Sequence, residues 1–500
     1  MRILLLVTIF LISTCGLIYE LVAGTLASYL LGDSVTQFST IIGTYLFSMG
    51  IGSYLSKFIT KNLEINFIRI ELLVGLVGGL SSSILFICFG YGAYFRVILY
   101  FLVGLTGLFV GMEIPLIMRI LKTQSSFKDL VSDVFTFDYI GSLLASIAFP
   151  VFLVPYLNLT RTSLLFGLMN VALALYLIHF FRHKIRKPSI AFAQGVACAL
   201  ILGFAFVASD MIQRMSEEEY HGDGILFATT SKYQRIVITR DRNAYSLFLN
   251  NHLQFNSRDE YRYHEALIHP TFAHAKSIEN VLIMGGGDGF AVREMLKYPE
   301  VKHITLVDLD EKMVEIFRTN PLMKKLNNNS LSSSKLKVIN QDAFLFLQNR
   351  KQQKFDVIII DFPDPSNYSI GKLYSTTFYR RLQQVMKPST LGVVQSTSPL
   401  YAKGSFWCID ATIRETGLQT LPYHAYVPSF GEWGYVQFSI LNEAPKNRKL
   451  PKDLRFYTET EWQNMKHFQQ DMLVEEPIIN RLNNQALIPL FEKEWAVLMD

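Results

Sequence analysis

The sequence predicts two unlike halves: a bundle of apolar helices fit to cross a membrane, then a small β-domain leading into an α/β domain built on a parallel sheet. Three observations predict this. Apolar residues crowd into 1–209, while 210–500 hold most of the charge and all four tryptophans, Trp407, Trp433, Trp462 and Trp495. Residues 225–255 alternate in short strand-like runs, such as Tyr233-Gln234-Arg235-Ile236-Val237-Ile238 and Tyr245-Ser246-Leu247-Phe248-Leu249. From Asn280 onward, short apolar strands alternate with turns and helical runs.

The apolar half comes first. A spanning helix needs about 20 apolar residues. Seven runs qualify, near 3–31, 36–56, 69–90, 95–118, 137–157, 162–180 and 190–209. The first is too long, and followed by too many others, to be a cleaved signal peptide. Two runs carry acids, Glu20 and Asp138. One offset of 118 residues lays Glu20 on Asp138 and Ala27-Ser28 on Ala145-Ser146. This is the pattern of a weak internal repeat, and also of plain packing between small residues. An acid in hydrocarbon is costly, so each marks either a function or a partner across the bundle.

Loop charges bear on orientation. Lys57, Lys61 and Arg69, then Arg119, Lys122 and Lys128, then Arg182, Lys184, Arg186 and Lys187 fall in alternate loops. The positive-inside rule places those loops and the N-terminus in the cytoplasm, and seven crossings then leave the C-terminal half outside. Nucleotide chemistry predicts a cytoplasmic catalytic half, on the inner face of a cell membrane. Either one apolar run is not a full crossing, or the charge rule fails here, or the C-terminal half faces outward.

Composition excludes other classes. The net charge is +5, with no basic block interleaved with aromatics, so no nucleic-acid partner is expected. Cys15, Cys88, Cys198 and Cys408 are scattered without metal or redox spacing, so neither a disulfide framework nor a zinc site is expected. The expected domains are 1–209 in the membrane, 210–270 as linker and β-domain, 271–445 as the catalytic α/β domain, and 446–500 as an extension.

The chemistry sits in the α/β part. Asn280-Val281-Leu282-Ile283-Met284 reads as a buried strand, Gly285-Gly286-Gly287-Asp288-Gly289 as a tight turn, and 291–297 as a helix. His303-Ile304-Thr305-Leu306-Val307-Asp308 is a second strand ending in an acid. Glycines allow a nucleoside close to the backbone, and an acid about 20 residues on can accept hydrogen bonds from ribose hydroxyls. This predicts a Rossmann-like, methyltransferase-type domain. A third strand ends at Asp342-Ala343, and a fourth at Asp361-Phe362-Pro363-Asp364-Pro365. Those two carboxylates lie in a proline-stiffened loop at the sheet's carboxyl edge, suited to binding and deprotonating an amine.

These segments resemble the spermidine/spermine synthase family, from about Tyr233 to Gly434. The likeness rests on Gly285-Gly286-Gly287-Asp288-Gly289-Phe290-Ala291-Val292-Arg293-Glu294, on Ser257-Arg258-Asp259-Glu260-Tyr261 and Tyr263-His264-Glu265, and on Leu373-Tyr374 with Phe378-Tyr379. Fusion to a multi-pass domain resembles a bacterial subgroup of that family. The resemblance implies aminopropyl transfer from decarboxylated S-adenosylmethionine, as co-substrate without a prosthetic group, to putrescine or a similar polyamine. It implies that Gln234 and Asp308 hold the nucleoside over the 285–287 turn, Gly285 and Gly287 included. Asp342 and Ala343 would contact adenine, and Asp288 the aminopropyl ammonium. Asp361 would be the general base, with Asp364 and His264 lining the polyamine groove. Homo-oligomerisation through the β-domain stays open.

The sequence departs from the family's pattern at Ser366-Asn367-Tyr368-Ser369-Ile370-Gly371-Lys372, at Phe362-Pro363, at Phe430 and at Asp308, where glutamate is usual. Another reading is a polyamine transporter or sensor with a synthase-like binding module, favoured by Glu20, Asp138 and the repeat. A methyltransferase is disfavoured by Asp288, whose charge would repel the carboxylate of intact S-adenosylmethionine.

Overall fold

The computed structural model describes residues 2–31, 34–90, 94–122, 127–221, 224–348, 353–441 and 447–499. The chain divides into two compact units, Met1–Ile225 and Leu226–Asp500.

Long apolar segments with few breakers form the first unit as helices: α1 (Arg2–Leu31), α2 (Ser34–Ser56), α3 (Leu63–Gly90), α4 (Phe95–Leu121), α5 (Phe127–Ala148), α6 (Val154–Phe180) and α7 (Pro188–His221). A π-turn, Phe149–Leu153, joins α5 to α6. Asn158 breaks the continuation with φ of 60°, and its Oδ1 accepts from Arg161 N at 3.0 Å where the helix restarts. α7 runs past the composition break at Ser209 to His221.

Five stretches are long and apolar enough to cross a membrane among the described residues: Ile3–Ser28, Leu63–Phe89, Phe95–Leu121, Lys128–Phe180 and Pro188–Ser216. The sequence suggested seven. The fifth and sixth runs count as one because no polar break separates α5 from α6. α2 falls short because serine, threonine and glycine dilute its apolar residues.

Those small residues serve packing. A Cβ on Gly52 would sit 1.9 Å from the Leu108 carbonyl oxygen, and one on Gly111 would sit 2.1 Å from that of Met49, so α2 and α4 touch backbone to backbone. Arg119 at the end of α4 donates to the Ile59 and Ser56 carbonyls at 2.9 and 2.6 Å, covering the open end of α2. α1 and α5, which the 118-residue offset relates, pack together: Ser13 Oγ donates to Asp138, and Thr14 Oγ1 to the Gly141 carbonyl at 3.2 Å. Glu20 and Asp138, the acids the sequence singled out, are only half-buried. Among the described residues of this unit, the fully buried acids are Glu71 and Glu113.

The second unit opens with a four-stranded sheet in order β1 (Gly224–Thr230), β2 (Arg235–Asp241), β3 (Ala244–Leu249), β4 (His252–Asn256). α8 (Glu260–His274) leads into the α/β domain. Its strands are β5 (Asn280–Gly285), β6 (His303–Asp308), β7 (Leu336–Asn340), β8 (Phe355–Asp361), β9 (Met386–Gln395), β10 (Gln419–Val427) and β11 (Gly431–Ser439), in sheet order β10-β11-β9-β8-β5-β6-β7. β5 through β9 are parallel, and β11 runs antiparallel to both β9 and β10. This is the Rossmann-like, methyltransferase-type order. Its strand order reverses between β5 and β8, where ligands bind in doubly wound sheets.

Between their end residues the central strands are buried, and apolar except for Asp356, as a sheet covered on both faces requires. The C-terminal extension folds back on α8. Glu265 accepts from the backbone N–H groups of Arg455, Phe456 and Tyr457 at 2.7–2.9 Å.

Candidate active site

Parallel pairing sets Gly285, the last residue of β5, beside Asp361, the last of β8. The turn after β5 must be glycine-rich for two reasons. Gly285 and Gly286 have φ of 81° and 72°. A Cβ on Gly285 would also lie 2.1 Å from the Asp361 carbonyl oxygen, and one on Gly287 would lie 2.7 Å from Asp308 Oδ2. The turn is therefore pressed between the two acids that end the neighbouring strands.

Each acid has defined donors. Asp361 Oδ1 accepts from the Tyr263 hydroxyl at 2.6 Å. Asp308 accepts from Gly287 N at 3.0 Å and from Asp310 N at 2.9 Å. Asp288 Oδ1 accepts from Phe290 N at 2.9 Å, where α9 (Phe290–Met295) begins. Burial raises Asp288 and Asp308 to about 6 each, and it raises Asp361 as well. Around Asp361, His264 and the Tyr263 bond pull the other way.

Asp364 is pushed up to about 7 by burial, against a weak bond from Gln395 Nε2 at 3.5 Å. His264 Nδ1 lies 2.8 Å from Glu260 Oε2. Burial works against its charged form, but Glu260 outweighs burial, helped by Asp288 and Asp361, and its pKa rises. Glu260 is fixed in turn by Arg293, whose two terminal nitrogens donate to its two oxygens at 3.0 and 2.9 Å.

The remaining expected residues sit on the rim. Gln234 Nε2 donates to Asp310 Oδ2 at 2.9 Å, beside Asp308, and Ser231 Oγ reaches the same oxygen at 2.7 Å. Asp342 accepts from Phe344 N at 2.8 Å and from Lys372 Nζ at 2.7 Å, and Ala343 starts the short helix after it.

Sequence reading passed over several members. Asp310 links Gln234 to the Asp308 loop. Gln395, at the end of β9, donates to the Phe362 carbonyl at 2.5 Å and to Tyr374 Oη at 3.0 Å, and accepts from Trp433 Nε1 at 3.2 Å. It holds the Asp361–Asp364 loop against β11. No local pattern announces such a glutamine. Tyr263 was visible within its motif, but its bond to Asp361 was not.

A glycine turn at the switch point of a Rossmann-like sheet, ringed by Asp288, Asp308 and Asp361, defines a nucleoside-dependent group transferase. Comparison with known proteins narrows the class. Residues 260–449 match the spermine/spermidine synthase domain. The polyamine aminopropyltransferase of Leptospira interrogans is 50% identical over 502 residues, covering 100% of both chains. Polyamine aminopropyltransferase 2 of Ralstonia nicotianae is 47% identical over 504 residues, covering 98% of each. The crystal structure of spermidine synthase from Thermotoga maritima aligns with a TM-score of 0.44 at 24% identity, covering 49% of this chain and 85% of that one. The chain belongs to the spermine/spermidine synthase family, among its polyamine aminopropyltransferases.

Proposed function

We propose that this enzyme moves the aminopropyl group of decarboxylated S-adenosylmethionine to putrescine, giving spermidine and methylthioadenosine, in the crevice between β5 and β8. The observation that carries the reading is the pairing of Gly285 with Asp361, which brings a nucleoside turn within reach of a half-buried, tyrosine-bound carboxylate. Asp308 takes the ribose hydroxyls, with Gln234 at the rim, and Asp342 and Ala343 border the adenine. Asp288 holds the ammonium of the aminopropyl arm. Asp364 and His264 line the acceptor groove.

The sulfonium is already an activated electrophile, so the task is alignment and one proton transfer. The acceptor nitrogen attacks the carbon beside sulfur. The C–S bond breaks with its electrons passing to sulfur, a C–N bond forms, and the amine's proton passes to Asp361. An amine is mostly protonated at neutral pH, so a carboxylate raised by burial suits the step better than an ordinary one. Assay of the purified full chain with decarboxylated and intact co-substrate against a panel of amines tests the reading. Turnover with the intact form alone would overturn it.

The same proposal embeds the first unit in a membrane. Five apolar stretches support this. So do bare apolar side chains such as Phe204 and Val207, 74% and 84% exposed. The catalytic unit is placed on the cytoplasmic side, where its nucleoside substrate is made, with α2 the helix least suited to a full crossing. Loop charges favour the opposite side. Reporter fusions after Lys187 and after Gln213 decide, and a C-terminal reporter found outside would overturn the cytoplasmic placement. Pairing of two chains through the β1–β4 sheet belongs to the same proposal, and a monomeric mass in detergent would remove it.

A further inference from the structure

The carboxyl ends of β5, β6 and β7 lie side by side in the sheet, about 5 Å from strand to strand. Asp308 closes β6, and Gln341 N donates to its carbonyl at 3.0 Å. Asp342 follows directly. A nucleoside whose ribose lies on Asp308 therefore has its base one strand over, at Asp342.

Asp342 has little acceptor capacity to spare. A carboxylate offers about four lone-pair positions, two on each oxygen. Oδ1 accepts from Phe344 N at 2.8 Å and from Leu345 N at 3.2 Å. Oδ2 accepts from Lys372 Nζ at 2.7 Å. Among the described residues, these bonds leave one lone-pair direction, on Oδ2, and fix where it points.

Lys372 ends the loop at which this sequence departs from its family, 366–372. Its backbone is held on both sides. Asn480, completely buried, donates through Nδ2 to the carbonyls of Gly371 and Tyr374 at 3.1 and 3.2 Å. The Asn480 carbonyl accepts from Thr376 N at 3.1 Å, and its Oδ1 from Leu487 N at 3.3 Å. A Cβ on Gly371 would meet Ile488 Cδ1 at 2.7 Å, so the C-terminal extension is seated directly on this loop. An exposed ion pair made by a free lysine is weak. Here the anchored backbone and the partial burial of both side chains, 32% and 22% exposed, reduce the freedom that the pair must give up. Arg381, also nearby, is committed to Phe344: it lies 4.0 Å from the ring centre and donates to the carbonyl at 3.4 Å.

The remaining lone pair decides which base fits. It accepts and cannot donate. The 6-amino group of adenine donates to it. The 6-oxo group of hypoxanthine or guanine brings a second acceptor against the same oxygen. A carboxylate free to turn could move aside and relieve that repulsion. One held by Lys372 and by the N–H groups of Phe344 and Leu345 cannot.

On the nucleoside placement proposed above, we infer that Lys372 is a positioning and specificity-determining residue of the co-substrate site: it fixes Asp342 with one acceptor turned to the base, and so selects 6-aminopurine nucleosides over their 6-oxo counterparts. The loop that follows the acceptor acids thereby also serves the far end of the co-substrate.

The test is calorimetry on the purified full chain in detergent, with methylthioadenosine and its 6-oxo counterpart methylthioinosine as probes. Wild type should prefer the amino form by at least ~10-fold, the factor for about 1.4 kcal/mol. Lys372→Met should weaken methylthioadenosine about 3-fold or more, within reach of a partly buried ion pair, and should lower the preference by a similar factor. Lys372→Arg keeps a charged donor and should restore most of both. Lys372→Gln gives the same comparison should the methionine variant not fold. In an Asp342→Asn background, Lys372→Met should cause no further loss. Unchanged affinity and preference in Lys372→Met, with Asp342→Asn impaired, would overturn the role of Lys372 and leave the nucleoside placement standing. Unchanged affinity in Asp342→Asn would remove the placement itself, and the role of Lys372 with it. Tighter binding by Lys372→Met would make the lysine a competitor of adenine, and a wild-type preference near one would make it a donor to the oxo group; either result overturns the proposal.

Discussion

The two units hold acids in opposite ways. In the α/β unit, Asp288, Asp308 and Asp361 each accept a hydrogen bond from a neighbour, two of them from backbone N–H groups of turns and helix starts. In the helical unit, Glu71 and Glu113 are buried, and both oxygens of Glu71 and Oε1 of Glu113 lack a hydrogen-bond partner among the described residues. The backbone explains the difference. Strand ends at a switch point release N–H groups that nothing else claims. Inside a long helix every N–H is already bonded to a carbonyl four residues back. A sheet edge can therefore present charged carboxylates to a substrate. Inside the helix bundle the same backbone offers a buried carboxyl no spare donor.

The largest effect should break this comparison at its functional end. Asp361→Asn should lower kcat by about 10²–10⁴ with little change in co-substrate affinity, since positioned bases contribute that much. Raising the pH should restore part of the loss by delivering amine already deprotonated. Near-normal turnover at pH 7 would move the base to His264, or to Tyr263 acting through water.

Next in size is a structural effect. Glu260→Ala leaves Arg293 without its bidentate partner and His264 with only the residue-260 carbonyl as its neighbour. Unfolding in denaturant should show a loss of about 3–5 kcal/mol, the range for breaking one side of a buried pair. A loss below about 1 kcal/mol would show that water replaces the contact.

Smaller again is acceptor binding. Asp364 is raised to about 7 by burial, so its proton-bound, neutral form gains weight as pH falls through that value. KM for the amine should rise below about pH 7, and Asp364→Asn should carry the raised KM at every pH, with a lesser fall in kcat. A KM profile unchanged by that substitution would place the acceptor's nitrogen elsewhere.

The smallest effect is at Asp288. Its folded value of about 6 stands above the 3.8 of a free aspartate because burial disfavours the charge. The stability it contributes is full below about pH 4 and lost as pH rises through about 6. Asp288→Asn should therefore raise the melting temperature by about 2 °C or more at pH 8, and leave it unchanged at pH 4. It should also shrink the preference for decarboxylated over intact co-substrate, predicted at ~10-fold or more from one unfavourable charge contact. Equal affinities in the wild type would remove that role.

Much of this molecule was legible in one dimension. Runs of apolar residues wrote out the helices, and β6 and β8 lie where strand patterns ending in Asp308 and Asp361 put them. The glycine turn, its Asp288 and the spacing to Asp308 announced a nucleoside site, because close backbone approach leaves few residue choices. Sequence alone did not determine which acids meet which donors. Gln395 and Asp310 gained their places from strands and loops distant in the chain. Glu71 and Glu113 lie 42 residues apart on separate helices, in segments where neither stood out. Local pattern is set by the backbone's own periodicity. Partnership between buried polar groups depends on which faces the helices and strands turn toward one another, and only the packed structure decides that.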